Sequence, residues 1–102
     1  MNLRNLEQAP GDFELLETTG RSQSAVMRLG PGESTSDEPN HHPHSDQVVL
    51  VLEGEMLAEV NGERKRLQKG DSVTVAAGVP HRVTNSGEKT AVGFRVYAQP
   101  AH

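Results

Sequence analysis

Short runs of β-forming residues, separated by glycine and proline turns, make up most of this chain and leave almost no helical period. Residues 47–53 form the clearest run, which is apolar, rich in β-branched side chains and stopped by Gly54. Such a run favours a buried central strand. After the alternating residues 56–60, the pair Asn61-Gly62 predicts a type I′ hairpin. Strands at this regular spacing predict an antiparallel sandwich or barrel.

The last strand has an apolar face made of Val92, Phe94 and Val96, and we expect this face to be the inner one. Arg95 and Tyr97 would then point outward, whereas the opposite orientation of this strand would place them on the wall of the pocket. A helical turn is expected near the start of the chain, within residues 3–8. The other expected strands cover residues 13–18, 24–29, 47–53, 56–60, 63–67, 72–76 and 81–85.

Composition limits the number of domains, the size of the core and the partners that the chain can have. Its 102 residues suit one domain, which buries roughly 60 to 70% of the surface of the unfolded chain. Only 33% of the residues are hydrophobic, so we expect a thin core to gain stability from an oligomer interface or a bound metal. The net charge of −4 and the scarcity of aromatic residues argue against nucleic acid as a partner. The basic triplet at residues 64–66 is expected to be a solvated hairpin arm.

Cysteine is absent, which excludes disulfides and thiolate metal sites. The first residues have no apolar signal-peptide core, and no run reaches the roughly 18 apolar residues of a membrane span. We therefore expect a soluble cytoplasmic protein without a membrane partner. No nucleophile stands beside a base, and the glycines form no phosphate-cradling pattern. Catalytic residues therefore stay unassigned, and no organic cofactor site is predicted.

Two histidine-bearing stretches carry candidate metal ligands. Residues 40–47 read Asn-His-His-Pro-His-Ser-Asp-Gln, and residues 78–81 read Gly-Val-Pro-His. Imidazole nitrogens, together with amide or carboxylate oxygens, are donors of first-row metal sites. Histidines buried on an inner face without a metal would each need a hydrogen-bond partner. We therefore predict a metal site inside the β-fold.

The same stretches, with the glycines around them, resemble the two motifs of the cupin superfamily. In the first family motif a His-x-His pair is followed, after four residues, by a glutamate and, after six more, by a glycine. Residues 42–54 match the closing part of that motif in spacing. The second motif is matched by Gly70, Gly78, His81 and Asn85, with Ala76 where proline is usual.

This resemblance implies the fold and its extent. We expect one cupin domain over residues 1–102, with an all-β, RmlC-like jelly-roll barrel, also described as a double-stranded β-helix. The first motif would cover residues 32–54 and the second residues 70–85. The fold hosts many chemistries, so it implies a class of site more firmly than a reaction.

Aligned on Gly54, the positions of the family's four metal ligands hold Asn40, His42, Gln47 and His81. Gln47 replaces a glutamate, so a bound dication would be less neutralised and held more weakly. An amide oxygen still ligates hard or borderline metals, and some small cupins that process sugar acids have glutamine at this position. Asn40 replaces an imidazole with a poorer donor.

The sequence leaves the identity of the fourth ligand open. Side chains on a strand repeat with period two, so Asn40, His42 and His44 would share one side and His41 would point away. Asn40 and His44 are therefore alternatives, with His41 as a weaker third, although His44 also suits a surface or the mouth of a pocket. The donor types allow zinc, nickel, iron, manganese or copper.

Some polar residues also have structural interpretations. In a site without metal, Gln47 would bond to the backbone or to His81. Asp46 is expected to start a turn or to face solvent, and Asn85 to shape the turn that follows it. His102 is expected to be exposed.

Two classes of function follow. The first is a metal-dependent enzyme with isomerase, lyase or dioxygenase chemistry on a small oxygenated substrate such as a sugar acid. The second is a non-enzymatic or regulatory cupin that binds a small molecule in an eroded metal site. Small cupins commonly pair through sheet edges and N-terminal strands, so we expect a homodimer in either case.

Overall fold

The computed structural model describes residues 1–36 and 42–102, and two of the candidate ligands, Asn40 and His41, lie outside these ranges. Across the described ranges, no helix is both long enough and apolar enough to span a bilayer. The elements are, in chain order, a 3₁₀ helix at Leu6–Gln8 and the strands β1 (Phe13–Thr18), β2 (Gln23–Leu29), β3 (Asp46–Glu53), β4 (Glu55–Val60), β5 (Glu63–Gln68), β6 (Ser72–Val75), β7 (His81–Asn85) and β8 (Ala91–Ala98).

The strands form two antiparallel sheets. The larger sheet has the order β1-β2-β8-β3-β6, and the smaller has the order β5-β4-β7. Strand β8 lies at the centre of the larger sheet, where it pairs with β2 on one side and β3 on the other. This architecture confirms the predicted all-β antiparallel fold, and each expected strand is present with its ends shifted by at most a residue or two.

Two tight turns depend on backbone conformations that favour glycine. At the β4–β5 hairpin Asn61 has φ of 50° and Gly62 has φ of 83°, as the predicted type I′ turn requires. Gly54, between β3 and β4, has φ of 76°, and a Cβ there would lie 3.0 Å from the Cα of Ala91. Both the conformation and the close approach to β8 therefore make any side chain at residue 54 unfavourable.

The interior is apolar at one end of the barrel and polar at the other. Alternation places every second side chain of a strand inside, so β3 contributes Gln47, Val49 and Val51 in that order. On β7, His81 precedes Val83 in the same way. The apolar end consists of Met27, Leu29, Val49, Val51, Met56, Ala58, Leu67, Val83 and Ala91.

The expectation for the inner face of β8 is wrong. Arg95 and Tyr97 are buried inside the barrel, with 5% and 1% of their surfaces exposed, and Val92 and Phe94 lie on the opposite face. The physical reason is that this outer face is also covered. Val92 and Phe94 pack in a second apolar cluster with Val26 and with residues of the N-terminal segment, so apolar character does not distinguish the two faces.

The basic triplet of β5 follows the sequence expectation. Arg64, Lys65 and Arg66 are all exposed on the outer arm of the hairpin. Arg64 and Lys65 form ion pairs with Glu59 and Glu63. Since Arg64 and Lys65 are themselves exposed, these pairs contribute little to stability.

Candidate functional site

A cavity of about 370 Å³ opens at the polar end of the barrel. The exposed residues Asp12 and Glu33 lie on its lining, where they face solvent. The buried and half-buried part of its wall is more distinctive, because it combines imidazoles, a phenol and a guanidinium. These residues are His42, His81, Arg95, Tyr97 and, among apolar side chains, Met27.

Strand pairing explains why polar groups meet at this end. Tyr97 of β8 lies opposite Gln47 of β3 and opposite Gln23 of β2. Two residues earlier on the same inner face, Arg95 lies opposite Val49. Because antiparallel partners lie side by side, the register alone brings Gln47, Arg95 and Tyr97 into neighbouring rows of the interior.

The two histidines predicted as ligands lie close together on the cavity wall. The ring centroids of His42 and His81 are 6.0 Å apart, and His81 is buried at the start of β7. Nδ1 of His81 donates to the carbonyl of Val79 at 3.0 Å, which makes Nε2 the nitrogen suited to ligation. The backbone N–H of Gly78 donates to the carbonyl of His42 at 2.9 Å, and this bond ties the two histidine-bearing segments together.

The structure does not support one extended strand through His42 and His44. Strand β3 begins only at Asp46, and Pro43-His44 forms a turn closed by a bond from the N–H of Ser45 to the carbonyl of His42. Pro43 favours such a turn because it has a fixed φ and no N–H for a sheet. His44 is exposed and does not line the cavity. The placement therefore separates His44 from His42 and His81.

Gln47 is 1% exposed, and its amide oxygen accepts a hydrogen bond from Nη2 of Arg95 at 3.0 Å. This partner differs from the two alternatives considered from the sequence, the backbone and His81. The other amino group of Arg95, Nη1, lies 3.8 Å from the sulfur of Met27. The sequence makes Arg95 a candidate for the pocket wall only if its face of the last strand points inward, and the structure shows that it does.

Burial shifts the pKa values of Arg95 and Tyr97 in opposite directions. Desolvation lowers the pKa of Arg95, an effect that the nearby Tyr97 partly opposes. Desolvation raises the pKa of Tyr97, although the guanidinium beside it acts in the other direction. The phenol therefore stays protonated at neutral pH and can donate a hydrogen bond. The guanidinium carbon lies 5.5 Å from the centroid of the Tyr97 ring, a distance suited to a cation–π contact.

An aromatic cluster borders the cavity. The ring of His42 is 5.7 Å from that of Tyr97 and 5.8 Å from that of His102. His102 is exposed as a residue, as expected, yet its ring also packs 5.2 Å from that of Phe13. Desolvation, with a further effect of the charge on Arg95, lowers the pKa of His102. Gln23 holds this segment by accepting from the N–H of His102, a long-range contact that no local pattern signals.

Two polar residues near the motifs have structural roles. Oδ1 of Asp46 accepts from the N–H of Ala77 at 2.8 Å. The amide nitrogen of Asn85 donates to the carbonyls of Leu29 and Lys89, and its oxygen accepts from the N–H of Gly87. The expectation that Asn85 shapes the following turn is therefore confirmed.

The described residues of the cavity wall would supply only part of a ligand set for a transition metal. In residues 1–36 and 42–102, no group of three or more histidine, aspartate and glutamate side chains is arranged to hold an ion. His42 and His81 supply two imidazoles of the softness that first-row divalent ions prefer. A third donor would be the oxygen of Gln47, once released from Arg95, or Asn40, which lies outside the described residues. Water would fill the remaining positions.

Comparison with known proteins adds a family and a fold. Residues 25–97 match the family described as "Cupin domain". The tetracenomycin polyketide synthase protein TcmJ of Streptomyces glaucescens is 37% identical over 65 residues, covering 64% of this chain and 42% of that protein. Polyketide synthase CurC of Streptomyces cyaneus is 32% identical over 74 residues, covering 72% and 46%. The chain thus spans less than half the length of these curated relatives.

Solved structures give the same architecture. A crystal structure of BH2720 from Bacillus halodurans superposes with a TM-score of 0.89 at 24% identity, covering 98% of this chain and 82% of that one. TT1209 from Thermus thermophilus gives 0.83 at 27% identity, with coverage of 98% and 100%. KdgF from a Halomonas species gives 0.78 at 18% identity, with coverage of 86% and 79%. At such identities the likeness concerns the fold.

Proposed function

The chain belongs to the cupin domain family, and we propose that its barrel holds a divalent transition metal beside a pocket for a small oxygenated molecule. The observation that carries this proposal is the pair of imidazoles, His42 and His81, 6.0 Å apart on the wall of one cavity. Gln47 and Asn40 would complete the ligand set. His44 is the weaker alternative, because its side chain is exposed outside the cavity.

When bound, a divalent ion supplies Lewis acidity that polarises a carbonyl or hydroxyl, or activates water or dioxygen. The protein's own groups would bind and orient the molecule. The bond from His81 to Val79 fixes one imidazole, and the protonated phenol of Tyr97 can donate to a substrate oxygen. Met27 also lines the cavity, and its apolar side chain would limit the water around a bound molecule. These features support isomerase, lyase or dioxygenase chemistry on an oxygen-rich substrate such as a sugar acid, and the names of two relatives add polyketides to that class.

A specific observation favours a second candidate, a cupin that binds a small molecule without turning it over. The oxygen of Gln47 is engaged by Arg95, and the carboxylates of Asp12 and Glu33 on the cavity lining are exposed. Within the described residues the buried wall therefore offers no carboxylate for acid–base catalysis. A binding or regulatory module with an eroded metal site would have these features.

Metal analysis of protein purified without a histidine tag tests the proposal. We expect about one metal ion per chain, and a loss of bound metal in both His42→Ala and His81→Ala. His44→Ala is the matched control, because it removes an exposed imidazole and should retain the metal. Equal losses in all three variants, or none in His81→Ala, would contradict the proposed ligands. Turnover that stops on chelation would identify the enzyme, whereas binding without turnover would identify the second candidate.

The edge of the larger sheet supports a homodimer. Strand β1 is its outermost strand, and two apolar side chains on one face of it, Phe13 and Leu15, are 40% and 45% exposed. An open edge with exposed apolar side chains is a common place for chain pairing. Light scattering should return a particle of twice the 11.0 kDa chain mass. A particle of one chain mass at micromolar concentration would contradict it.

A further inference from the structure

Arg95 is a buried cation without a counter-ion among the described residues. It is 5% exposed, and no carboxylate of residues 1–36 and 42–102 lies within ion-pair distance of it. Its polar contacts are the neutral oxygen of Gln47 and the sulfur of Met27, while Nε has no hydrogen-bond partner in the described part of the chain. A guanidinium has more donors than these two acceptors satisfy. Burying such a charge is unfavourable unless something neutralises it.

We propose that the cavity binds a small carboxylate, with its anionic group against the guanidinium of Arg95. This inference rests on the proposed function, because it names the charge class of the molecule bound in that cavity. Arg95 lines the cavity, and a guanidinium matches the two oxygens of a carboxylate in geometry. The phenol of Tyr97, which lines the same wall, offers a neutral O–H to the same molecule.

The other charged residues that line the cavity do not cancel the preference of this site for an anion. Arg28 donates to the carbonyls of Leu6, Ala9 and Gly11, so its guanidinium is committed to the N-terminal segment. Asp12 and Glu33 are exposed, where water and salt screen them. Their two negative charges would still oppose a dianion such as phosphate more strongly than a monoanion. The balance of charges therefore favours a monocarboxylate.

A purely structural role is the competing explanation for Arg95. Its bond to Gln47 and its position over Tyr97 could serve only to pack the polar end of the barrel. A structural role predicts that substitution changes stability without changing which ligands bind. A ligand role predicts a loss of discrimination between an acid and its neutral counterpart. Pairs of ligands that differ at a carboxylate therefore distinguish a structural role of Arg95 from a ligand role.

The experiment uses the full chain after metal removal by chelation, and calorimetric titration at low ionic strength. The probes are galacturonate with galactose and benzoate with benzyl alcohol, so each pair differs at a carboxylate. We expect at least one acid to bind about tenfold or more tightly than its neutral partner, as a charged hydrogen-bonded contact implies. Arg95→Gln should abolish the preference, while Arg66→Gln, which removes an exposed arginine from β5, should keep it. Equal affinities within both pairs, or no binding of either acid, overturn the proposal.

A second variant covers the case in which Arg95→Gln fails to fold. Gln47→Glu keeps Arg95 and gives it an internal carboxylate at the position that now accepts its hydrogen bond. The acid preference should fall by about tenfold or more, because the guanidinium is already neutralised. An unchanged preference would overturn the proposal. Since these titrations use metal-free protein, their failure would leave the metal site standing. Metal retained in His81→Ala would contradict the metal ligands and leave the carboxylate site standing.

Discussion

Gln47→Glu should strengthen metal binding, because it restores a negative charge to the predicted ligand set. The amide oxygen of Gln47 is 3.0 Å from Nη2 of Arg95, so a carboxylate there would be attracted by both the guanidinium and a bound ion. Two unit charges about 4 Å apart interact by about 4 kcal/mol at an effective dielectric constant near 20. Competition from Arg95 reduces what the metal gains. We therefore expect a gain in metal affinity of about 1.4 kcal/mol, or tenfold, with about 4 kcal/mol as the ceiling.

Competition with a chromophoric chelator measures this affinity for the wild-type protein and the variant under the same buffer conditions. Gln68→Glu is the control, because it adds the same charge at an exposed position on β5 and should leave the affinity unchanged. A variant whose metal affinity is equal to or weaker than that of the wild type would contradict a role of residue 47 as a metal ligand. It would mean that the oxygen at residue 47 stays with Arg95 and does not reach the metal.

Further substitutions test the fold and the assembly. Met56→Ala removes a fully buried side chain and should lower the free energy of unfolding by about 2 to 5 kcal/mol, measured by urea denaturation. Gly54→Ala should lower it by about 1 kcal/mol or more, because residue 54 has positive φ and contacts Ala91, whereas Gly20→Ala should change it by less than about 0.5 kcal/mol. An equal effect at both glycines would show that neither φ nor contact matters. Leu15→Arg should lower the particle mass measured by light scattering to that of one chain. A dimer retained in this variant would show that the interface lies elsewhere.

The strands and turns could be predicted from the sequence because local chemistry determines them. Strand β7 was expected at residues 81–85 and is found at His81–Asn85. The β4–β5 hairpin follows from Asn61 and Gly62, whose backbone conformations few other residues adopt. Asn85 likewise acts on its own turn, so its role was visible in the sequence.

The chemistry of the wall could not be predicted as completely, because it depends on packing between distant segments. Both faces of β8 are covered, so the apolar Val92 and Phe94 gave no guide to which face holds the cavity. The same apolar residues favour an outward Arg95, which the structure shows to be buried. His44 was placed beside His42 by the period of a strand that begins only at Asp46. For the faces of β8 the deciding contacts lie far away in the chain, whereas for His44 the local turn at Pro43 decides.

The most direct test of the proposed function is the metal content of untagged protein, measured together with thermal unfolding before and after chelation. We predict about one transition-metal ion per chain, a lower melting temperature after chelation, and loss of both effects in His81→Ala. Substoichiometric metal, with a melting temperature that neither chelation nor His81→Ala changes, would contradict it.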